Sequence, residues 1–175
     1  MEKELLEKPR LVFPSPVGLI STYNPADGKP NIITLAWIGV VCSQPPQITI
    51  SIWTKNYSHD LVKESQEFVV NIPSIDQMEQ MKICGTKSGR DTDKWEECGF
   101  TPVKGTKINA PLIKECPINL ECKVRKFIPA EEIGIHGMFI GEVLATHQKM
   151  GIKSAVDITP ICYSLGKYGK TIAVD

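Results

Sequence analysis

A chain of 175 residues with twenty basic and twenty acidic side chains has a formal net charge of zero. It is long enough to bury one substantial core and fits a single domain over 1–175. It carries no overall electrostatic footprint for nucleic acid or an anionic membrane surface. The start, MEKELLEKPR, lacks the apolar centre of a signal peptide, and no apolar run approaches bilayer length, so the expectation is a soluble, cytoplasmic protein. Six cysteines, at 42, 84, 98, 116, 122 and 162, show neither a CxxC pair nor metal-ligand spacing with histidine. They read as reduced, partly buried thiols, with Cys84, beside a glycine-rich loop, the first candidate for reactivity; no metal is expected.

Residues 1–10 form a lead-in before the first strand signal, VGLISTYN at 17–24. Pro25-Ala26-Asp27-Gly28-Lys29-Pro30 supplies turn chemistry, so a hairpin should join that strand to the run from Asn31 to Cys42. Ser21 and Thr22 then lie near the start of the run that holds Asn31 and Thr34. Pro45-Pro46 breaks the chain, and Gln47 to Trp53 follows with Ile48, Ile50 and Ile52 alternating against Thr49, Ser51 and Trp53. These two runs have a mixed face. Trp37 and Trp53 fit half-buried strand positions, and they equally fit surface for a flat aromatic ligand whose anionic tail would find Thr54, Lys55, Tyr57 and Ser58. Ser58 is placed to cap a short helix, 59–65, whose open amides behind Lys55 favour phosphate; an ordinary capped surface helix would look the same.

EFVVNIP at 67–73 reads as a strand, and Ser74 with Gln77 as a capping box before a helix striped by Ile75, Met78 and Met81. CGTKSGRDTDKWEECGF, 84–100, reads as a loop and then a short helix from about Asp93 to Cys98, stopped by Gly99. Lys87, Arg90 and Lys94 on or beside that loop either balance Asp91 and Asp93 in solvent or close over an anion. Neither a GxGxxG nor a P-loop pattern is present. From Pro117 to Phe127, Ile118, Leu120, Cys122 and Val124 alternate with Asn119, Glu121, Lys123 and Arg125, which predicts a half-exposed strand. Ile135 to His147 is its expected partner, curved at Gly137 and Gly141, with His136 on the face of Met138 and Ile140. The tail, about 160–175, carries Tyr163 and Tyr168 and should lie over the barrel or reach a partner subunit. Six or so short strands with brief helices predict a mainly β protein built as a closed or split antiparallel barrel.

The order of NIITLAWIG, PPQITISI, TKNYSHDLVKESQEFVVNIP, CGTKSGRDTDKW and IHGMFIGEV resembles the flavin reductase-like family of FMN-binding split barrels, and most closely its flavoredoxin branch, over about residues 10–170. That resemblance implies a homodimer of split barrels with FMN near the subunit interface. It implies flavin contacts from Asn31, Thr34, Ala36 and Trp37, phosphate and ribityl contacts from Thr54, Lys55, Tyr57 and Ser58, and pocket positions for Lys94, His136 and Tyr168. No catalytic side chain is implied, because the flavin carries the chemistry. The implied activity passes electrons from NADH, NADPH or a protein donor through FMN to free flavin, a ferric chelate or a redox protein. The alternative is an FMN electron carrier without nicotinamide activity, and a base-stacking oligonucleotide barrel is disfavoured by the neutral charge.

Overall fold

The computed structural model describes residues 3–172. Its centre is a seven-stranded antiparallel sheet, in which β1 (Ser15–Pro16) takes no part. In chain order the sheet strands are β2 (Gly18–Tyr23), β3 (Pro30–Leu35), β4 (Ile38–Ser43), β5 (Pro46–Trp53), β6 (Glu67–Ile72), β9 (Ile118–Ile128) and β10 (His136–Gln148). Their spatial order is β3-β2-β6-β9-β10-β5-β4. The expected hairpin pairs Thr22 with Asn31 and Leu19 with Thr34. Between β6 and β9 the short strands β7 (Pro102–Val103) and β8 (Leu112–Ile113) pair with each other. The helices are α1 (Tyr57–Ser65), α2 (Met78–Thr86), α3 (Lys94–Cys98) and α4 (Ala130–Ile133). Near the C-terminus β11 (Ile161–Ser164) pairs with β1 and with β12 (Lys167–Lys170). Of the expected tail, residues 173–175 lie outside the described residues, as do residues 1–2 of the lead-in.

The sheet curls until its two ends share one core. Ile33 and Leu35 of β3 pack with Ile48, Ile50 and Ile52 of β5 and with Phe68, Cys122 and Phe139. The alternating isoleucines of β5 therefore do what their period predicts, each fully buried one being worth about 1.5–3 kcal/mol relative to exposure. The curvature depends on close approaches: a Cβ at Gly141 would lie 2.5 Å from Phe68 Cζ, and one at Gly137 2.6 Å from His59 Nε2. A second core on the other face joins Val17, Leu19 and Ile32 to Met81, Trp95, Phe100 and Ile161. Strands β2 and β3 are thus covered on both sides, which explains their nearly continuous burial.

Four expectations are corrected. The run from Asn31 to Cys42 is two strands, broken at Ala36–Trp37, where the Trp37 carbonyl accepts the Ser51 amide at 3.0 Å. Helix α1 starts at Tyr57 with Asn56 as its N-cap, so Ser58 lies inside the first turn and caps nothing. Helix α2 runs on to Thr86, through the start of the expected loop. Asn119 and Glu121, expected on an exposed face, are 7% and 0% exposed. Asn119 donates to Asn71 Oδ1 and to the Ile113 carbonyl of β8, and the segment after β7 covers Glu121, whose carboxylate accepts the amides of Thr106, Lys107 and Ile108, the Thr106 hydroxyl and the His147 ring.

Candidate functional site

A cavity of about 180 Å³ lies between the first turn of α1 and the segment that links α2 to α3. On one side, Asn31 at the start of β3 donates from Nδ2 to Ser58 Oγ at 2.7 Å, and both residues are buried. The Asn56 side chain makes no cap, and the His59 amide donates to the Asn56 carbonyl at 2.9 Å, which leaves the amides of Tyr57 and Ser58, two lining residues, without a side-chain cap at the positive end of the helix. On the other side run Gly85, Thr86, Lys87, Ser88 and Gly89. Gly89 is required there, because a Cβ would lie 1.9 Å from Asn31 Oδ1. Arg90 fastens this segment: its guanidinium sits 4.9 Å from the Tyr57 ring centroid and donates to the Lys55 carbonyl and to Asp60 Oδ2, each at 3.3 Å. Lys87 is paired with Glu97.

Lys94 is the unusual member. Asp93 accepts the amides of Trp95 and Glu96 and so starts α3, whose Trp95 and Cys98 enter the second core and carry Lys94 inward with them. Its side chain is 4% exposed, and its ammonium has two acceptors, the carbonyls of Cys84 at 3.4 Å and Lys87 at 3.3 Å. Among the described residues no ion pair includes it. Burial lowers its pKa, opposed by the nearby sulfurs of Cys84 and Cys98. A buried ammonium without a carboxylate is costly unless an anion completes it.

Thr34 and Gly85 also line an adjoining cavity of about 160 Å³, whose other walls are Val17, Ala36, Trp37, Tyr163 and Tyr168. Trp37 is 46% exposed and stacks on His136 with centroids 5.8 Å apart and planes 10° from parallel. Tyr163 lies 6.3 Å from Trp37 and 5.2 Å from Tyr168. Burial lowers the His136 pKa from its ordinary value, which favours the neutral ring, and raises that of Tyr168. A polar, cationic chamber thus shares two walls, Thr34 and Gly85, with an aromatic one, the division a flat ring with an anionic tail requires. A larger groove of about 810 Å³ lies elsewhere, lined in part by Glu115, His147 and Asp157. Three of its titratable groups are met within the fold, Glu115 by the Thr101 amide, Asp157 by the amides of Lys153 and Ser154, and His147 by Glu121, while its Asp76, Lys114 and Lys149 are exposed to solvent. It presents no unsatisfied charge of the kind Lys94 presents.

A model of the flavin reductase-like domain matches residues 10–171. The chain belongs to the flavin reductase-like family. One relative, an uncharacterised protein of Archaeoglobus fulgidus, is 39% identical over 120 residues, spanning 68% of this chain and 66% of the relative. A ferric-chelate reductase (NAD(P)H) of the same organism is 29% identical over 130 residues, 74% and 72% of the two chains. Among solved structures, the flavoredoxin of Desulfovibrio vulgaris (Miyazaki F) superposes with a TM-score of 0.89 at 28% identity, covering 99% of this chain and 95% of its own. The flavoredoxin of Methanosarcina acetivorans gives 0.88 at 25% identity, over 100% and 94%. The barrel is therefore the split barrel of this family.

In this flavin reductase-like chain the expected site residues divide into groups. Thr34, Lys55, Tyr57, Ser58 and Lys94 line the polar cavity, and Thr34, Ala36, Trp37 and Tyr168 the aromatic one. Three stand behind or beside these walls: Asn31 beneath Ser58, His136 against Trp37, and Thr54, whose amide and hydroxyl both donate to the Ile135 carbonyl. The Lys55 ammonium lies 5.2 Å from the Trp53 ring centroid. Gly85, Gly89 and Tyr163 were not expected as walls. The two glycines flanking Thr86-Lys87-Ser88 were the available signal, and what they provide is close packing against Thr34 and Asn31. Cys84, expected to be the reactive thiol, is fully buried, and Cys42 is the exposed one. No helix among the described residues is long and apolar enough to cross a membrane.

Proposed function

We propose that this chain binds FMN and passes electrons through it, from NADH, NADPH or a protein donor to an acceptor such as free flavin, a ferric chelate or a redox protein. The observation that carries the reading is the buried Lys94 ammonium, short of an anion, on a cavity that Ser58 and Tyr57 of the uncapped first turn of α1 also line. A phosphate fits that donor set, and the adjoining aromatic chamber fits a flavin ring. The likeness to two flavoredoxins and a ferric-chelate reductase supports the same direction.

A bound flavin supplies hydride and single-electron chemistry. The chain supplies the rest. Lys94, Ser58, Lys55 and the first turn of α1 hold the anionic tail, with Tyr57 and Thr54 bordering it. Asn31 is a positioning residue that fixes Ser58. Thr34, Ala36, Trp37 and Tyr168 bound the ring, and His136 sets the plane of Trp37. A second copy of the chain fits the apolar surface around the edge strand β4, where Val40 is 84%, Leu11 63% and Phe13 59% exposed. Light scattering should give twice the monomer mass.

The purified chain, or the chain incubated with excess FMN and desalted, should show the visible bands of a bound flavin. A chain that stays colourless overturns the reading. Anaerobic mixing of the FMN-loaded protein with NADH or NADPH then separates its two forms: bleaching identifies a nicotinamide oxidoreductase, and a stable yellow colour identifies a carrier served by a protein donor.

A further inference from the structure

Two thiols meet beside the polar cavity, which Cys84 also lines. Cys84 lies in the last turns of α2 and Cys98 ends α3, and their sulfurs are 3.7 Å apart. That is contact distance for two sulfurs, and a bond of about 2.05 Å requires only a modest approach. The other four cysteines have no sulfur neighbour of this kind. Cys116 faces Gln77, Cys122 the Leu120 carbonyl and Cys42 the Gln44 carbonyl, and Cys162 lies in β11. Cys84 is fully buried, whereas Cys98 is 9% exposed, so a small oxidant meets Cys98 first. The residues between the two carry Gly85, Gly89 and Lys94, and the Cys84 carbonyl is itself an acceptor for Lys94.

We propose that Cys84 and Cys98 are a modification site: under a hydroperoxide they form a reversible disulfide that staples α2 to α3 across the segment lining the polar cavity. The Cys98 thiolate attacks the terminal oxygen of the hydroperoxide, the O–O bond breaks, and the released alkoxide or hydroxide takes up a proton. Cys98 is then a sulfenic acid. The Cys84 sulfur attacks the Cys98 sulfur, the S–O bond breaks, and the departing hydroxide leaves as water with the proton from Cys84. Two thiols and one hydroperoxide give one disulfide, one alcohol (or water) and one water. Burial raises the pKa of both thiols, so the pair answers sustained exposure to peroxide and is slow beside an activated thiolate. The Lys94 ammonium, close to both, favours the thiolate that must form.

The test uses the full chain, with or without FMN, since the proposal does not depend on the flavin reading. The protein is treated with hydrogen peroxide, quenched with iodoacetamide in denaturant and digested with trypsin without reduction. The peptides Ile83–Lys87 and Trp95–Lys104 should appear joined in most chains, and dithiothreitol should separate them. Cys98→Ser should abolish the joined species and leave Cys84 alkylated. The proposal is overturned if, at a dose that oxidises the exposed Cys42, both peptides return alkylated and separate. Linkage of either cysteine to Cys116, or conversion of Cys98 to a sulfinic acid with Cys84 still free, overturns it equally.

Discussion

Two buried charges, Glu121 under the segment after β7 and Lys94 at the polar cavity, are nearly equal in burial, at 0% and 4% exposed, and opposite in how they are met. Glu121 accepts three backbone amides, a hydroxyl and an imidazole at 2.6–3.1 Å. Lys94 has two carbonyls at 3.3 and 3.4 Å. Burial alone would raise the Glu121 pKa, but those hydrogen bonds outweigh it and hold the carboxyl at about 2. No comparable set of partners offsets the burial of Lys94. A charge the fold completes by itself belongs to the architecture, and a charge left incomplete beside a cavity is the one we propose for a ligand.

The comparison breaks first at Glu121. Replacing it with alanine strands the Thr106, Lys107 and Ile108 amides and should cost about 3–5 kcal/mol in urea unfolding. The wild type should show the linked acid profile. The Glu121 contribution is fully present above the ordinary carboxyl pKa near 4.3 and is lost as pH falls from there toward 2, by about 3 kcal/mol in total, whereas Glu121→Gln should flatten that limb.

Lys94→Met should do the reverse. The FMN-free protein should be as stable or about 1 kcal/mol more stable, while FMN binding weakens by about 1.5–3 kcal/mol, roughly 10- to 150-fold, in a fluorescence titration. Because burial lowers the Lys94 pKa, the unfolded chain holds that proton more tightly. FMN-free stability should therefore rise as pH climbs through the folded value toward about 10.4, and this slope should shrink when FMN is bound. A Lys94→Met protein that unfolds like Glu121→Ala would erase the distinction.

Gly89→Ala must displace Asn31 from Ser58 and should weaken FMN by about 1–1.5 kcal/mol, with the far-UV spectrum unchanged. Smallest is Trp37→Ala, which removes the stack with His136 and should cost about 0.5–1 kcal/mol of FMN affinity, seen as a changed flavin absorption envelope.

Much of the frame was legible because its signals are local. The isoleucines of β5, the Asp-Gly turn between β2 and β3, and Asp93 and Gly99 at the ends of α3 each act within a few residues. What stayed hidden depends on distant chain. Nothing within Asn31–Cys42 announces the break at Ala36–Trp37, which accompanies the Trp37 carbonyl's bond to Ser51. The period-2 pattern of β9 shows that two faces differ, and it is silent on the Ile113 carbonyl of β8 that meets Asn119 and on the aperiodic segment that roofs Glu121. Lys94 reads as one charge in a charged window. Its burial comes from Trp95 and Cys98 anchoring the short α3 in the second core. The residue types of the site were visible through the family resemblance, but which of them form walls and which only buttress walls was not.

Strands β3 and β5 are five places apart in the sheet yet share a core, and the polar cavity sits where Thr34 of the one meets the turn that follows the other. A molecule lodged there acts as a clasp on a hoop, tying one rim of the curl to the strand next to the other. Occupancy should therefore govern how often the hoop springs open, so that digestion by a nonspecific protease slows in proportion to cofactor supply.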